Sequence, residues 1–443
     1  MATTLPLVTR VRSGISWNVS SSLVGQFIGF VRSVTLARLL APEDFGLFTM
    51  ALTVVTAANA LTTIGLDRTI IANEFGTQDE LKTHLDTVWS AELIRSIIVA
   101  LLVSLSAFPM TRFYGQSQLK VIIPILACVS LAQGLQNIGL VLLRKEIRFG
   151  RIFWFDLATN LAGVGLTIAL AVVLQNVWAL VLGMLLTTMI GTALSYVFHP
   201  YRPSVKSDRV ALAQVLHFGK FAIVFAVASY VSNMADNILV GRLLGPAALG
   251  NYSLAFNIAS APIIVVIFSV TAVLLPAYAE INSQQPAMLE TSFTKAFNLT
   301  STIMLVIAVP LFFFADEVVR LFFGARWITA GSVLRILALV IPLRGLTLLT
   351  STIFWSANRA RDIAVVRTLD AVVFIVALYF LTIRFGVAGV AWAVVIAYAF
   401  ACVNRAIALN RIIPGISSKL LPRLLAVFVL LTTLLLVRTL VSR

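Results

Sequence analysis

The sequence has few cysteines, few histidines and few charged residues for a chain of 443 residues. Its two cysteines, Cys128 and Cys402, both lie in apolar stretches, which excludes a disulfide-rich secreted scaffold. Its three histidines are far apart in the chain and predict no metal cluster. Charged residues make up 12% of the chain, about half the share found in soluble proteins, whereas hydrophobic residues make up 60%. A water-soluble fold cannot bury that much apolar surface, so most of the chain is expected to lie in lipid.

Apolar runs long enough to span a bilayer recur along the whole chain. A transmembrane helix needs about 20 such residues. Thirteen runs meet this length, within a range of twelve to fourteen, and they cover residues 14–39, 45–66, 88–108, 119–142, 152–174, 178–198, 218–243, 249–275, 293–315, 332–354, 363–383, 387–409 and 420–440. The first run has no small-residue cleavage site with a mature domain after it. It is therefore predicted to be a span and not a removable signal peptide. The sequence therefore predicts an all-α integral membrane protein.

Lysine and arginine are distributed unevenly between the two sides that these spans define. With the N-terminus inside, the inner segments carry about twice as many of these residues as the outer ones. This bias predicts a cytoplasmic N-terminus, and it explains the net charge of +15 as membrane topology and not as a nucleic-acid surface. No connecting segment is long, which leaves no room for a catalytic domain outside the membrane.

A sequence repeat relates the two halves of the chain at a fixed offset of 204 residues. LARLLAPEDFGLFTMA, from Leu36, and VGRLLGPAALGNYSLA, from Val240, share Arg, Leu, Leu, Pro, Gly and Ala at equivalent positions. Each segment joins the first two spans of a six-span unit, so both units enter the membrane in the same direction. Such repeats imply two six-helix lobes related by a pseudo-two-fold axis along the membrane normal, with a central cavity. The predicted organisation is an N-terminal lobe (1–200), a cytoplasmic linker (201–216), a C-terminal lobe (217–411) and an additional transmembrane helix (412–443).

Arg32 is a charge in the first span, where an ionisable side chain is costly unless it faces a cavity or a partner. It either lines a central cavity and holds an anion, or extends to the outer lipid headgroups beside Arg38. Gln26 lies nearly two turns earlier on a similar helix face, which favours the cavity. Gly25 and Gly29 form a small-xxx-small face that permits close helix approach.

Asp236 occupies the position equivalent to Arg32 in the second half, between Asn233 and Asn237. One half thus offers a cation and the other an anion at equivalent depth. Two interpretations of Asp236 remain open. It either binds a coupling Na⁺ or H⁺, or pairs structurally with Arg32 or another neighbour.

Two further charges lie in the C-terminal half. Arg344 follows Pro342 and precedes Gly345, and such a break frees backbone carbonyls and often marks a working segment in transporters. Asp370 is a second candidate for a cation site. The alternative is a local pair with Arg367, three residues earlier.

The remaining polar residues form no catalytic constellation. Glu92 and Arg95 lie three residues apart on one helix face, where pairing with each other accounts for both. The phosphate-binding GxxxxGK(S/T) loop and the HExxH and GxSxG motifs are absent from the sequence. We therefore expect no enzyme, no catalytic residue, no metal site and no cofactor, apart from coupling to Na⁺ or H⁺.

Four segments resemble the polysaccharide transporter family of Wzx-type flippases, which belongs with lipid II flippases and MATE antiporters to the MOP superfamily. They are ARLL followed by PxDFGLFxxA, GLDRTII at 65–71, NxxDNxLVGRLLGPxxLGxYxxA in the second half, and FWSANRARD at 354–362. The resemblance covers residues 13–411. It implies a bacterial inner-membrane protein that moves polyprenyl-pyrophosphate-linked oligosaccharides from the cytoplasmic to the periplasmic leaflet.

The resemblance also bears on Arg32 and on the substrate. GFVR at 29–32 is similar to the GFxR setting of a cavity arginine in lipid II flippases, which implies that Arg32 faces a cationic cavity. Lipid II flippases have fourteen spans, however, and their further cavity arginines have no clear matches here. A capsule, O-antigen or exopolysaccharide repeat unit is therefore expected in place of lipid II.

The predicted function is a flippase for a polyprenyl-pyrophosphate-linked oligosaccharide repeat unit, working by alternating access. Arg32 would grip the pyrophosphate, with Arg344 as a second candidate, while Gln26, Asn233 and Asn237 line a polar cavity. The alternative is a MATE-like, cation-coupled multidrug antiporter, which needs an acidic cavity, and the arginines within spans argue against it. The expected partners are the lipid-linked glycan, membrane lipids, and a polymerase and co-polymerase of the same pathway, but no nucleic acid.

Overall fold

The computed structural model describes residues 7–62, 70, 76–206 and 209–441, and the regular elements in these ranges are helices. The sequence motif at 65–71 lies outside the described residues except for Ile70. In chain order the α-helices are α1 Leu7–Leu39, α2 Pro42–Thr62, α3 Gln78–Tyr114, α4 Leu119–Gly134, α5 Gly139–Lys145, α6 Phe149–Leu174, α7 Trp178–Phe198, α8 Arg209–Gln284, α9 Leu289–Phe313, α10 Ala315–Phe322, α11 Ile328–Ala338, α12 Val340–Ser356, α13 Ala360–Ala408 and α14 Ile416–Val441.

Within the described residues, six helices are long and apolar enough to cross a membrane, or eight if each of two bent pairs is one span. The ranges labelled α8 and α13 each hold two predicted spans, which join at Gly245 and Gly386, where φ is positive and the backbone is not helical. Conversely, the predicted span 119–142 is divided between α4 and α5, which bend by 59°. The all-helical membrane fold is therefore confirmed, whereas the count of thirteen spans is not.

The chain divides into two compact units, Met1–Gly250 and Asn251–Arg443. In the first unit α3 packs against α4, α6 against α7, and α1 against α6. In the second unit α12 packs against both α9 and α13, and α14 packs against α13. The lobe boundaries at 1–200 and 217–411 stay a prediction.

Both units place large apolar side chains on the outside as well as in the core. Phe293, Phe354 and Trp327 are fully buried in the second unit, whereas Leu105 and Val173 in the first unit are largely exposed. Water would make such exposed faces unfavourable, because large apolar patches on soluble proteins promote association. Lipid is the solvent that suits them.

The two repeat segments lie against each other within the first unit. Pro42 begins α2, and the equivalent Pro246 follows the kink at Gly245. A Cβ atom on Gly46 would lie 1.8 Å from the carbonyl oxygen of Pro246, and one on Gly250 would lie 1.9 Å from the carbonyl oxygen of Pro42. The contact is reciprocal, as a pseudo-two-fold relation between the segments requires. Both glycines are needed because the backbones approach too closely for a side chain.

Candidate functional site

Arg32 and Gln26 lie on α1 in open surroundings. The side chain of Arg32 is exposed and that of Gln26 is partly buried. A Cβ atom on Gly25 or Gly29 would meet nothing within 4 Å, so no backbone or side chain comes close to α1 at these two glycines. An exposed guanidinium fits both a wet cavity and a headgroup region, and the cavity role of Arg32 stays a prediction.

Asp236 is buried in α8, with 5% of its surface exposed. Its Oδ1 accepts a hydrogen bond of 2.8 Å from the backbone N–H of Asn237. The Asn237 side chain is partly buried and its Nδ2 lies 3.5 Å from the Met234 sulfur, whereas the side chain of Asn233 is outside the described part of the structure. A carboxylate at this depth needs polar partners or a cation to remain ionised. Asp236 therefore keeps both predicted roles, ion coupling and structural pairing.

Asp370 forms a buried ion pair in the second unit. The Arg405 Nη2 and Nε atoms lie 3.0 and 3.3 Å from Asp370 Oδ2, and the two side chains are 7% and 13% exposed. Asn404 Nδ2 donates to the other oxygen of Asp370 at 3.0 Å. Arg405 Nη1 also donates to the Ser351 hydroxyl at 3.0 Å and to the carbonyl oxygen of Thr347. The partner of Asp370 is thus Arg405, and the predicted local pair with Arg367 is wrong.

Arg344 lies on α12, three residues before Thr347, whose carbonyl oxygen accepts from Arg405. Its Nη1 donates to the Ser260 hydroxyl at 2.8 Å. The centre of its guanidinium lies 5.3 Å from the Phe256 ring and 5.9 Å from the Tyr398 ring, which is cation–π distance. These contacts hold the guanidinium in one orientation without neutralising its charge.

Tyr398 connects Arg344 to a second cation. Arg367 is exposed on α13 and lies within electrostatic range of Tyr398, Arg405 and Asp370. The second unit therefore brings three arginines and one aspartate together, and this cluster carries net positive charge. We call Arg344, Arg367, Arg405 and Asp370 the arginine cluster.

The sequence did not indicate Arg405 as the partner of Asp370. The available signal was the pair Asn404–Arg405 inside the apolar run 387–409. The sequence also placed the helix break at Pro342–Gly345. The structure ends α11 at Ala338 and begins α12 at Val340, because a proline is tolerated in the first turn of a helix.

Two other polar groups serve the architecture. The predicted Glu92–Arg95 pair is confirmed, with Arg95 Nε 2.9 Å from Glu92 Oε2. Arg95 Nη1 lies 3.1 Å from the Thr62 hydroxyl, so the pair also links α3 to α2. These charges are satisfied within the helix packing and are not candidates for substrate binding.

Residues 199–206, which follow α7, are fastened to the first unit by two buried side chains. Asn137 Nδ2 donates to the carbonyl oxygens of His199 and Tyr201 at 3.2 and 2.8 Å. Asp86 accepts hydrogen bonds from the Tyr201 hydroxyl and from the backbone and hydroxyl of Ser204, the last two at 2.9 and 2.6 Å. Burial, together with the bond to Asp86, raises the pKa of Tyr201, and burial lowers the pKa of His199. Both side chains are therefore neutral at pH 7.

Comparison with known protein families and sequences gives one consistent result. The family described as "Polysaccharide biosynthesis protein" matches residues 35–332. The lipopolysaccharide biosynthesis protein WzxC of Escherichia coli (strain K12) is 27% identical over 338 residues, which are 75% of this chain and 67% of the relative.

Solved structures of transporters share the fold. The lipid II flippase MurJ in an inward closed conformation matches with a TM-score of 0.70 and 15% identity, over 96% of this chain and 97% of its own. An inward-facing multidrug resistance MATE family transporter of the MOP superfamily matches with a TM-score of 0.66 and 20% identity, over 89% of this chain and 98% of its own. At these identities the likeness establishes the fold alone.

Proposed function

Because this chain belongs to the polysaccharide biosynthesis protein family, we propose that it is a flippase of that pathway. It moves a polyprenyl-pyrophosphate-linked oligosaccharide repeat unit across the bacterial inner membrane for exopolysaccharide, capsule or O-antigen assembly, by alternating access. The arginine cluster is the observation that carries the proposal, because its net positive charge suits a lipid-linked anion.

The chemistry of the substrate matches the side chains. A guanidinium binds phosphate oxygens through two parallel N–H donors, and these charge-assisted bonds are stronger than neutral ones. In the proposal Arg32 binds the pyrophosphate, with Arg344 as the second candidate. Gln26, Asn233 and Asn237 offer hydrogen bonds to the sugars, while the prenyl tail stays in lipid.

An antiporter of organic cations is the weaker alternative. Such a transporter needs carboxylates that face its substrate. Asp370 lies 3.0 Å from Arg405, so its charge is already compensated, and Arg367 within electrostatic range repels a cation. The charges of the second unit therefore favour an anionic substrate.

The proposal also covers orientation, partners and ion coupling. The N-terminus lies in the cytoplasm, and a polymerase and a co-polymerase act on the delivered repeat unit. Asp236 is the main candidate for coupling to Na⁺ or H⁺. Asp370 is the second, and it would first have to release Arg405.

A transfer assay in proteoliposomes tests this function. The substrate is a fluorescent polyprenyl-pyrophosphate oligosaccharide whose accessibility from outside reports the leaflet it occupies. We expect wild type to equilibrate the leaflets, and Arg32→Ala and Arg344→Ala each to slow transfer by tenfold or more, because each loses a charge-assisted bond. Arg326→Ala, an exposed arginine of the second unit, is the matched control and should transfer normally.

The outcomes separate the function from the residue roles. Wild-type transfer that Arg32→Ala and Arg344→Ala leave unchanged would retain the flippase and remove both arginines from the binding site. No wild-type transfer with several glycans, even under imposed Na⁺ and H⁺ gradients, would contradict the flippase and favour the antiporter.

A further inference from the structure

An open pocket lies where α12 ends and α13 begins, apart from the arginine cluster. Its volume is about 440 Å³, and it is lined by Asn358, Arg359, Arg361, Asp362, Val365 and Arg411. Asn358 has a positive φ of 55° and turns the chain between the two helices. Arg411 ends the short 3-10 turn Leu409–Arg411 that follows α13, and it lines the same pocket. Two distant parts of the sequence thus place three arginines around one cavity.

The arginines of this pocket remain largely uncompensated. Arg359 Nη1 lies 3.7 Å from Asp362 Oδ2, and Arg411 Nη1 lies 3.5 Å from Asp362 Oδ1, so both ion pairs are long. The Arg359 and Arg411 side chains are 56% and 69% exposed. Among the described residues, no ion pair includes Arg361. One carboxylate therefore faces three cations, and the start of α13 adds the positive end of a helix dipole.

Asp362 also provides an acceptor inside this positive surface. Its Oδ2 is buried and has no hydrogen-bond partner among the described atoms. A buried carboxylate oxygen without a donor is unfavourable. A ligand that brings a hydroxyl group beside its phosphate would satisfy this oxygen and the arginines together.

An apolar stripe leads away from the pocket along α13. Val365, Leu369, Val372 and Val376 follow a spacing of four, three and four residues, which places them on one helix face. Their exposed fractions lie between 49% and 55%, and Trp355, at the end of α12, is 49% exposed. The stripe starts at Val365, which itself lines the pocket. A ligand of the pocket therefore has an apolar surface beside it on which a hydrocarbon chain can lie.

We propose that this pocket binds the headgroup of an anionic phospholipid that carries free hydroxyls, such as phosphatidylglycerol. The phosphate contacts Arg359, Arg361 and Arg411, a glycerol hydroxyl donates to Asp362, and one acyl chain lies along the α13 stripe. Membrane topology alone requires only a count of basic residues on one side. It does not require that they converge on a cavity with an unsatisfied acceptor at the head of an apolar stripe. The site is separate from the proposed substrate site and does not depend on it.

Electron paramagnetic resonance with spin-labelled lipids tests the proposal on the full chain in phosphatidylcholine vesicles. The measured quantity is the association of phosphatidylglycerol relative to phosphatidylcholine. We expect wild type to prefer phosphatidylglycerol at least tenfold, since each basic residue near a membrane surface contributes roughly fivefold. Arg359→Gln with Arg361→Gln should reduce the preference to about fivefold or less, because Arg411 alone remains. Lys419→Gln, a basic residue at the start of α14 outside the pocket, should leave it unchanged.

Two further arms identify the chemistry of the ligand. Asp362→Ala should still bind anionic lipid but should lose the preference for phosphatidylglycerol over phosphatidic acid, which has no headgroup hydroxyl. Soluble glycerol 3-phosphate at millimolar concentration should not displace the lipid; displacement would identify a free phosphate ester as the ligand and overturn the lipid proposal.

Three other results would also overturn it. They are an absence of preference in wild type, a preference that the double arginine variant does not reduce, and an equal loss in Lys419→Gln. Monodisperse elution and unchanged melting temperatures of all variants verify that the arginine and aspartate changes leave the fold intact.

Discussion

At the scale of single residues, several charges within the described helices are compensated by a second side chain. Arg405 forms an ion pair with Asp370, Arg95 with Glu92, and Arg335 with Asp316. Removing one member of a buried pair leaves an uncompensated charge and costs about 3–5 kcal/mol, whereas replacing both by apolar residues is often neutral. Buried pairs therefore restrict which single substitutions the fold accepts.

The Arg405–Asp370 pair provides a direct test of this argument. We expect Arg405→Met and Asp370→Leu each to destabilise the protein by about 3 kcal/mol or more, because each leaves the other charge buried without its ion-pair partner. The double variant should recover most of that loss, since no charge remains buried. Thermal and denaturant unfolding in detergent micelles measures all three. Arg411→Met, whose side chain is 69% exposed, is the control and should change stability by less than about 0.5 kcal/mol.

Additive losses in the double variant would contradict a direct pair. Such a result would mean that Arg405 stabilises the fold mainly through Thr347 and Ser351, to which it also donates. Arg411 is exposed, whereas Arg405 is buried. Unchanged stability of Arg411→Met would therefore show that the loss of a positive charge does not by itself destabilise the protein.

At the scale of helices, hydropathy predicted the fold class but not how the spans are joined. Mean hydropathy identifies residues that prefer lipid. It does not reveal how the chain turns between two apolar runs, as it does at Gly245 and Gly386, where the backbone is not helical. Those joints depend on single glycines with positive φ, which look like any other glycine in the sequence.

In the candidate site, the sequence likewise predicted single charged residues but not the contacts between residues far apart in the chain. Arg344 and Asp370 were predicted because a charge within an apolar run is conspicuous. The partner of Asp370 was not, because Arg405 lies 35 residues later and the kink at Gly386 decides that they meet. The repeat places Gly46 and Gly250 at equivalent positions of the two segments. How closely each glycine approaches the other segment is visible only in the structure.

That helix crossing can be tested with matched glycine variants. We expect Gly46→Ala and Gly250→Ala each to destabilise the protein by about 1–3 kcal/mol, because the added methyl group meets a backbone carbonyl that cannot move aside. Gly25→Ala and Gly29→Ala add the same group where nothing lies within 4 Å. They should be neutral or stabilise α1 by up to about 1 kcal/mol through helix propensity. Melting temperatures of the four variants measured side by side check the contrast, and equal effects at all four positions would contradict the close crossing.

At the scale of the whole molecule, two buried carboxylates are the candidates for coupling transport to an ion gradient. Asp370 has a guanidinium at 3.0 Å. Asp236 has 5% of its surface exposed and accepts a hydrogen bond from a neighbouring backbone N–H. A transporter can use an ion gradient only if the ion binds one conformation better than another. We propose Asp236 as the residue to test first, because a cation that binds Asp370 would have to displace Arg405.

Transport under imposed gradients tests this assignment. We expect an inward Na⁺ or H⁺ gradient to accelerate wild-type transfer of the lipid-linked oligosaccharide, and Asp236→Asn to reduce the ratio of stimulated to unstimulated rates to about one, because an amide neither titrates nor supplies the charge that attracts a cation. The Arg405→Met, Asp370→Leu double variant should keep the wild-type ratio, since Arg405 already compensates the charge of Asp370 in the wild type. A sodium ionophore and a protonophore, added separately, identify the ion. If stimulation persists in Asp236→Asn but disappears in the double variant, Asp370 would be the coupling residue, and the cation would have to displace Arg405 during each cycle.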